Sequence, residues 1–322
     1  MNILEVKNLN MSYETLEGSV AAVKDVTFSL KEGESFGIVG ESGCGKTSVA
    51  MSLLQLQADN GKITSGEIIF DGKDIVKLNE KELRDVRWSG ISIVFQGAMN
   101  SWNPVVKIGE QIREAIREHY PDKTKEENTD KINELFNIVG LDSTIADRYP
   151  HELSGGMKQR AVIALALSCD PKLIIADEPT TALDVVIQDQ ILNEIRKVQD
   201  ILGLSLIYIS HDIAVIAEMT DNMAVMYAGR IVEKGPTKEV FENPRHSYTQ
   251  SLLASTPSVV GDKIKLKSLD GEPPSLINEQ IGCSFAPRCP NKNTSCNPTH
   301  NMELVEVASD HYVDICNAER SK

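Results

Sequence analysis

The segment from residue 40 to residue 47 carries the clearest chemical signal in the sequence. It fits the pattern GxxxxGK[ST] without a mismatch and reads Gly40, Glu41, Ser42, Gly43, Cys44, Gly45, Lys46, Thr47. An apolar segment precedes it and a helix-forming segment follows, which is the context in which this pattern forms a phosphate-binding loop. Backbone N–H groups would point at phosphate oxygens, Lys46 would bridge the β- and γ-phosphates, and the Thr47 hydroxyl would bind Mg²⁺. We interpret Cys44 as a small loop residue rather than a redox switch.

Two adjacent carboxylates follow another apolar segment. Asp177 and Glu178 come directly after Leu173–Ala176. At the end of a strand, Asp177 could reach Mg²⁺, and Glu178 could act as general base toward the attacking water. Two acids in this place could also only cap a helix. Their combination with the phosphate loop favours the catalytic interpretation.

Two further polar residues follow predicted strands. His211 comes after Leu204–Ile209, and Gln96 comes after Ile91–Phe95. His211 would contact the γ-phosphate and hold the water in line with the base. The neutral amide of Gln96 could bind Mg²⁺ or the water. A lone histidine is more often structural, so neither residue carries this interpretation by itself.

A second anion-receptive element lies at residues 153–160, which read LSGGMKQR and precede a helix. Its serine and glycines form a helix start whose N–H groups and positive end attract anions. If this element lies far from the phosphate loop, one chain cannot use both for one nucleotide. Head-to-tail pairing solves the problem, because the element then closes on ATP held by a second chain. The sequence therefore predicts an ATPase that is active only when paired.

Together these motifs resemble those of the ATP-binding-cassette (ABC) ATPase family, and the resemblance covers about residues 3–235. The diagnostic segments occur in the family's order, namely the phosphate loop, LSGGMKQR, Asp177-Glu178, Thr181-Ala182-Leu183-Asp184 and His211. The resemblance implies an α/β P-loop nucleotide-binding domain of ABC type with a helical signature subdomain. It also implies hydrolysis of ATP, with ATP and Mg²⁺ as cofactors.

The resemblance also implies a role for each matching residue. Glu178, His211 and Gln96 would be catalytic, and Thr47, Gln96 and Asp177 would bind Mg²⁺. Asp184 would contact the second cassette, and Tyr13 would stack on adenine. The remaining ATP-binding residues would be Gly40, Ser42, Gly43, Cys44, Gly45, Lys46, Thr47 and Ser48. The residues acting on the partner's nucleotide would be Ser154, Gly155, Gly156 and Gln159.

Two regions point to the peptide-importer branch of this family. Residues 99–104 (MNSWNP) resemble its SLNP segment, with Trp102 in place of the usual leucine. In the family this loop receives the coupling helix of the membrane subunit. Residues 243–249, 271–274 and 282–290 resemble the C-terminal region of oligopeptide and dipeptide importer ATPases. The resemblance implies import of di- or oligopeptides, with nickel or oligosaccharides as alternative substrates and a non-transport regulatory ATPase as the alternative class.

Four of the six cysteines lie in the C-terminal region. In the family such cysteines can hold a 4Fe–4S cluster, and here they would be Cys283, Cys289, Cys296 and Cys316. Their gaps of 5, 6 and 19 residues contain no CxxC pair. By spacing alone, an Fe–S cluster, a single Zn²⁺ and no metal all remain open.

Composition restricts the partners. A net charge of −14 argues against a nucleic-acid-coating role, which needs a basic surface. The chain shows no signal peptide and no apolar run of the roughly 20 residues that a spanning helix needs. We therefore expect a cytosolic chain whose membrane role, if any, comes through a partner. The family resemblance implies a peripheral protein on the cytoplasmic face of the cell membrane. The family implies a second ABC ATPase subunit, a sister chain rather than a copy, together with two transmembrane permease subunits and an extracytoplasmic substrate-binding protein.

These motifs need a scaffold of strands and helices to position them. From residue 1 to about 235, short apolar strands alternate with amphipathic helices, as in an α/β domain. Ser35–Val39 is the strand expected to enter the phosphate loop. Ile187, Ile191, Ile195, Val198 and Leu202 form one helical face that ends at Gly203. We predict a linker or helical extension over 236–260 and a small irregular cysteine-rich module over 261–322.

Overall fold

The computed structural model describes residues 1–181, 183–255, 269–277, 282–292 and 302–314. Its strands are β1 (Asn2–Thr15), β2 (Gly18–Lys31), β3 (Ser35–Val39), β4 (Gly61–Phe70), β5 (Lys73–Asp74), β6 (Ile91–Val94), β7 (Leu173–Asp177), β8 (Ser205–Ser210), β9 (Asn222–Tyr227), β10 (Arg230–Pro236), β11 (Leu304–Ala308) and β12 (His311–Asp314). Its α-helices are α1 (Lys46–Leu54), α2 (Glu80–Val86), α3 (Ile108–His119), α4 (Lys125–Ile138), α5 (Gly155–Leu167), α6 (Val185–Leu202), α7 (Ile213–Met219), α8 (Thr237–Glu242) and α9 (Ser247–Ser255). Within these described ranges, no helix is both long and apolar enough to cross a bilayer.

The chain folds into two compact units. Unit 1 comprises residues 1–31 and 35–76 together with the described residues from 208 onward. Unit 2 comprises residues 32–34 and 77–207. The chain passes from unit 2 into unit 1 within β8. The described part of the C-terminal region therefore belongs to the same unit as the phosphate loop.

Unit 1 contains an antiparallel sheet in the order β2-β1-β4-β5. Its two long strands pair apolar residues across the ladder, for example Leu4 with Leu30 and Val6 with Phe28. All four of these side chains are buried, as the two-residue period of a strand with one covered face requires. The Phe28 ring stacks on that of Phe36 in β3, with centroids 4.8 Å apart.

A second set of strands in unit 1 has the order β11-β12-β10-β9-β3. β3 and β9 are parallel, and the other pairings are antiparallel. Every residue of β3 is buried, and its bounds confirm the strand predicted from the sequence. A short parallel strand buried in this way directs the segment that follows it out at its carboxyl end, where the phosphate loop begins.

The C-terminal region is not irregular throughout, contrary to the prediction. β11 and β12 form a hairpin whose second strand pairs with β10, with Glu233 opposite Val313. The hairpin is held by a buried hydrogen bond, in which His311 Nε2 lies 2.8 Å from Glu233 Oε1. Sequence periodicity could not show this, because the two partners are far apart in the chain. The boundaries at 235 and 260 stay predictions.

In unit 2, β6 and β7 are parallel and in register, with Val94 opposite Ala176. All of β7 is buried, which confirms the predicted strand over Leu173–Ala176. The predicted helix is α6, and Gly203 caps it in the left-handed conformation at φ 62°. Its inner face buries Ile191, Ile195, Leu192 and Val198. Leu202, four residues after Val198 on the same side, is 42% exposed, so the covering of this face stops before the end of the helix.

Candidate functional site

The phosphate loop in unit 1 curls around the ammonium of Lys46. Lys46 Nζ donates to the carbonyl oxygens of Gly40 and Glu41 at 2.7 and 3.0 Å, and the side chain is 5% exposed. Gly45 precedes α1 with φ +104°, and a Cβ there would lie 2.2 Å from the carbonyl oxygen of Ala22. Glycine is therefore required at position 45 for both conformational and steric reasons. The loop has the compact form expected of a phosphate cradle.

The loop also presents groups outward. Ser42, Gly43 and Thr47 are exposed, so the Thr47 hydroxyl is accessible to a metal ion. Ser48 Oγ lies 3.3 Å from the hydroxyl of Tyr13, which places the proposed adenine-stacking ring beside the first turn of α1. Cys44 faces inward, and burial raises the pKa of its thiol. A buried, protonated thiol argues against a redox switch at this position.

The carboxylate site in unit 2 is organised by the register of β6 and β7. Gln96 and Glu178 each lie two residues beyond a paired position, so both emerge at the same sheet edge. Gln96 Nε2 donates to Glu178 Oε2 at 2.9 Å, and Thr181 Oγ1 donates to the same oxygen at 3.2 Å. Asp177, the last residue of β7, is 1% exposed. The structure thus brings together Gln96 and Glu178, which belong to separate motifs in the sequence.

Glu178 has an unusual backbone, and its contact with Thr181 is not predicted by the motifs. Its φ of +47° is rare for a residue other than glycine. Such a conformation typically costs about 1–3 kcal/mol, and functional sites are among the places where it recurs. In the sequence, Thr181 stands out only as part of a family motif. The two residues are three positions apart, which allows a contact, but this spacing does not predict the turn that brings their side chains together.

Residues 153–160 (LSGGMKQR), called the signature segment from here on, lead into helix α5. Ser154 caps this helix, and its Oγ accepts the N–H of Met157 at 3.3 Å. Ser154 and Gly155 are exposed. A Cβ on Gly155 would find its nearest neighbour, the Leu183 side chain, at 3.6 Å, which is an ordinary contact. The chain's own fold therefore does not require glycine at position 155.

Gln159 and Asp184 lie in different surroundings, and their roles at a second cassette stay predictions. Gln159 is 2% exposed, because it lies on the inner side of α5. Asp184 is exposed, and it has a local role as the N-cap of α6, where its Oδ1 accepts the N–H of Ile187 at 3.0 Å. His211 is exposed at the end of β8 in unit 1.

The loop at residues 99–104, which resembles the family's loop for the coupling helix, is hydrogen-bonded to α3. Gln111 Oε1 accepts the N–H of Asn103 at 2.9 Å, and Gln111 Nε2 donates to the Asn103 carbonyl at 3.1 Å. The ring of Trp102 is buried in unit 2. Val105, by contrast, is 78% exposed. The loop therefore has a fixed base, and an apolar side chain is presented outward.

The first two cysteines of the C-terminal region lie on one anchored segment, residues 282–292. Cys283 and Cys289 are half-buried thiols. Between them, Phe285 packs edge-on against Tyr227 and Tyr248, with ring centroids 5.3 and 5.4 Å away. Cys296 and Cys316 lie outside the described residues. Among the residues that are described, no group of three or more histidine, cysteine or acidic side chains could hold a metal ion.

Comparison with known families matches two regions of the chain. Residues 23–181 match the family described as ABC transporter. Residues 232–296 match the family described as oligopeptide/dipeptide transporter, C-terminal region. The second match covers most of β10, all of α8 and α9, and the segment that carries Cys283 and Cys289.

Individual relatives span almost the whole chain. The dipeptide transport ATP-binding protein DppD of Bacillus subtilis is 43% identical, over 95% of this chain and 92% of its own length. The oligopeptide transport ATP-binding protein OppD of the same species is 46% identical, over 97% and 87%. Among solved structures, the dimeric post-hydrolysis state of the ATP-binding cassette MJ0796 bound to ADP and Pi has a TM-score of 0.65 and 28% identity. The match covers 73% of this chain and 98% of that structure.

Proposed function

Because the chain belongs to the ABC transporter ATP-binding proteins of the oligopeptide/dipeptide importer family, we propose that it hydrolyses ATP to drive the import of peptides through a membrane transporter. The observation that carries this proposal is the double match, in which both the cassette and the C-terminal region resemble those of peptide-transport relatives. At 43–46% identity over nearly the full length, the fold and the ATPase activity are shared with those relatives.

The residues of unit 1 fit a triphosphate. The loop has a buried ammonium, accessible hydroxyls on Ser42 and Thr47, and the N-terminal end of α1, all of which attract phosphate oxygens. In ATP binding, Lys46 would exchange its two backbone acceptors for phosphate oxygens. Mg²⁺, when bound, would neutralise charge on the phosphates. Thr47, Asp177 and Gln96 would bind it, as the family implies.

The residues of unit 2 support the assignment of Glu178 as the general base. Gln96 and Thr181 both donate to Oε2, which orients the carboxylate, and a carboxylate has further acceptor capacity for the proton of a water. The strained backbone holds the carboxylate at the strand end. We propose that Glu178 removes the proton from the attacking water while Gln96 fixes the orientation of the carboxylate, and that His211 aligns the water with the γ-phosphate.

The signature segment would act on the nucleotide of a second cassette. The exposed Ser154 cap and the glycine at position 155, which the chain's own packing does not require, support close approach by another molecule there. We propose a pair of cassettes, with a sister chain as the second member, docked on two permease subunits at the cytoplasmic face of the membrane. An extracytoplasmic binding protein would deliver the peptide.

Replacing Glu178 by Gln tests the hydrolytic mechanism. We expect ATP binding to persist and turnover to fall by about 10²–10⁴-fold, the usual contribution of a general base. The measurement is phosphate release by the assembled transporter, with nucleotide binding followed separately. Lys46→Ala is the matched control, because it should abolish binding itself. Wild-type turnover by Glu178→Gln would show that another residue is the base.

Reconstituted vesicles test the substrate. The assembled transporter should accumulate a labelled dipeptide in an ATP-dependent manner, and the same vesicles should not accumulate nickel or an oligosaccharide. Uptake of either alternative without peptide uptake would contradict the peptide assignment. A chain that hydrolyses ATP yet never co-purifies with permease subunits would instead favour the regulatory class.

We also propose a 4Fe–4S cluster bound by Cys283, Cys289, Cys296 and Cys316. The two described thiols fit such a role, because they are half-buried and held on an anchored segment. A cluster would cross-link a region too small to bury a core of its own. Anaerobically purified protein should be brown, absorb near 400 nm and contain about four iron atoms per chain. Stoichiometric zinc without iron would support the alternative metal.

A further inference from the structure

Glu41 places a negative charge within the phosphate loop. It follows the first glycine of the phosphate loop, where it brings a carboxylate close to the site of a polyanion. Its side chain is 27% exposed, so solvent screens the charge only in part. Unless another group compensates it, this charge should repel ATP.

Arg288 compensates this charge with a two-point ion pair. Its Nη1 lies 2.6 Å from Glu41 Oε2 and its Nη2 donates to Oε1 at 2.9 Å, while the arginine side chain is only 5% exposed. Parallel bonds of this kind fix orientation as well as charge. Arg288 lies on the segment between Cys283 and Cys289, far from the loop in sequence.

The arginine itself is held by other groups of unit 1. Its Nε donates to the carbonyl of Asp270 at 3.0 Å, and its Nη1 also donates to the Tyr227 hydroxyl at 3.3 Å. Because Nε, Nη1 and Nη2 are all engaged, the guanidinium cannot move without breaking several bonds. The carboxylate of Glu41 is therefore paired with a group of fixed position.

The backbone of Glu41 is also held. Its N–H donates to the Tyr248 hydroxyl at 3.0 Å, and its carbonyl accepts from Lys46. Residue 41 is thus fixed at its amide, its carbonyl and its side chain. Two of these three contacts, those of Tyr248 and Arg288, come from the C-terminal part of the chain.

We propose that Arg288 is a positioning residue for ATP binding, which acts through Glu41 by neutralising its carboxylate and holding the phosphate loop in its binding conformation. The segment at residues 282–292 then contributes to the affinity for ATP, in addition to carrying the resemblance to peptide-importer ATPases. This inference depends on the ATP-binding activity proposed above.

The test is equilibrium dialysis of ATP with the full-length chain and its variants, without Mg²⁺ so that hydrolysis does not proceed. Arg288→Gln leaves the carboxylate uncompensated, and we expect about tenfold weaker ATP binding, with the loss shrinking as salt is raised. Glu41→Gln removes the repulsive charge but keeps an amide oxygen that can accept from Arg288, so the loop stays held and binding should not weaken. The double variant R288Q/E41Q should recover to within about threefold of wild type, because no buried charge remains unpaired.

A structural role alone gives a different pattern. If Arg288 only anchors the C-terminal segment, the double variant should bind no better than Arg288→Gln, and this result would overturn the proposal. Wild-type affinity in Arg288→Gln would overturn it as well. Should Arg288→Gln fail to fold in thermal denaturation, Arg288→Lys replaces it. Lys keeps the charge without the parallel bonds, so we expect about threefold weaker binding, and unchanged affinity would refute the positioning role.

Two controls separate this inference from the proposed function. Lys131→Gln removes an ion pair with Asp170 in unit 2, where Lys131 Nζ lies 2.8 Å from the carboxylate, and should bind ATP like wild type. A wild-type chain that binds no ATP would refute the proposed function itself. A wild-type chain that binds ATP and an Arg288→Gln variant that binds it equally well would refute only the role of Arg288.

Discussion

The burial of His246 predicts a pH dependence of stability that can be calculated. The imidazole is buried in unit 1, its Nδ1 accepts the N–H of Tyr248 at 3.1 Å, and its ring lies 6.0 Å from that of Phe285. Burial lowers the pKa of His246 from 6.5 to about 4. Between these two values the unfolded chain binds a proton that the folded chain does not. The free energy of unfolding therefore rises with pH in this window.

The size of the effect follows from the pKa difference. A gap of about 2.5 units corresponds to about 3.5 kcal/mol, since each unit is worth about 1.4 kcal/mol. The stabilisation is fully present above pH 6.5 and is lost as the pH falls from 6.5 to about 4. Between pH 7 and pH 4.5, His246 alone should remove about 2 kcal/mol of stability.

The perturbation is His246→Asn, which keeps a hydrogen-bond acceptor and cannot be protonated in this range. Urea unfolding followed by circular dichroism at pH 7 and pH 4.5 gives the loss for each protein. The wild type should lose about 2 kcal/mol more than the variant. His151→Asn replaces an exposed histidine and should keep the wild-type pH dependence. Parallel losses in wild type and His246→Asn would refute the reasoning.

Three further predictions concern buried groups. Glu233→Ala removes the hydrogen-bond partner of the buried His311 and of two backbone N–H groups, so we expect the free energy of unfolding in urea to fall by about 3–5 kcal/mol. A fall of less than about 1 kcal/mol would contradict the importance of these buried contacts. Cys44 should react with a maleimide at pH 7 only when the chain is unfolded, since burial raises its pKa; rapid labelling of Cys44 in the folded protein, located by peptide mapping because other cysteines are less buried, would contradict this. Gly45→Ala should abolish ATP binding and lower the thermal midpoint, whereas Gly43→Ala, which has φ +79° but open space around it, should do less of both; equal effects would show that the steric clash is unimportant.

The sequence motifs predict most of the residue types in the candidate ATP site. The pattern over residues 40–47 has few uses other than phosphate binding, because its glycines, its lysine and its hydroxyl each have a specific task there. Ser35–Val39 and Leu173–Ala176 are recognisable as strands because an uninterrupted apolar run of this length fits a strand buried on both faces.

Other features are out of reach of sequence patterns. The exposed end of α6 at Leu202 shows that helical periodicity predicts a face but not where the covering layer stops. Gln159 shows that membership of a motif does not determine exposure, since neighbouring helix residues face different surroundings. The β11–β12 hairpin is held by the buried hydrogen bond between His311 and Glu233, and neither residue signals the other in the sequence.

By itself, the sequence determined to which branch of its family the tail belongs, and it predicted which residues hold a triphosphate and which carboxylate serves as base. Only the tertiary structure decided which of these groups act on one another. The contact of Gln96 with Glu178 depends on the register of two parallel strands, and that of Arg288 with Glu41 joins positions distant in the chain. A local pattern specifies residue type and backbone preference, whereas contacts between distant residues depend on how the strands and helices pack.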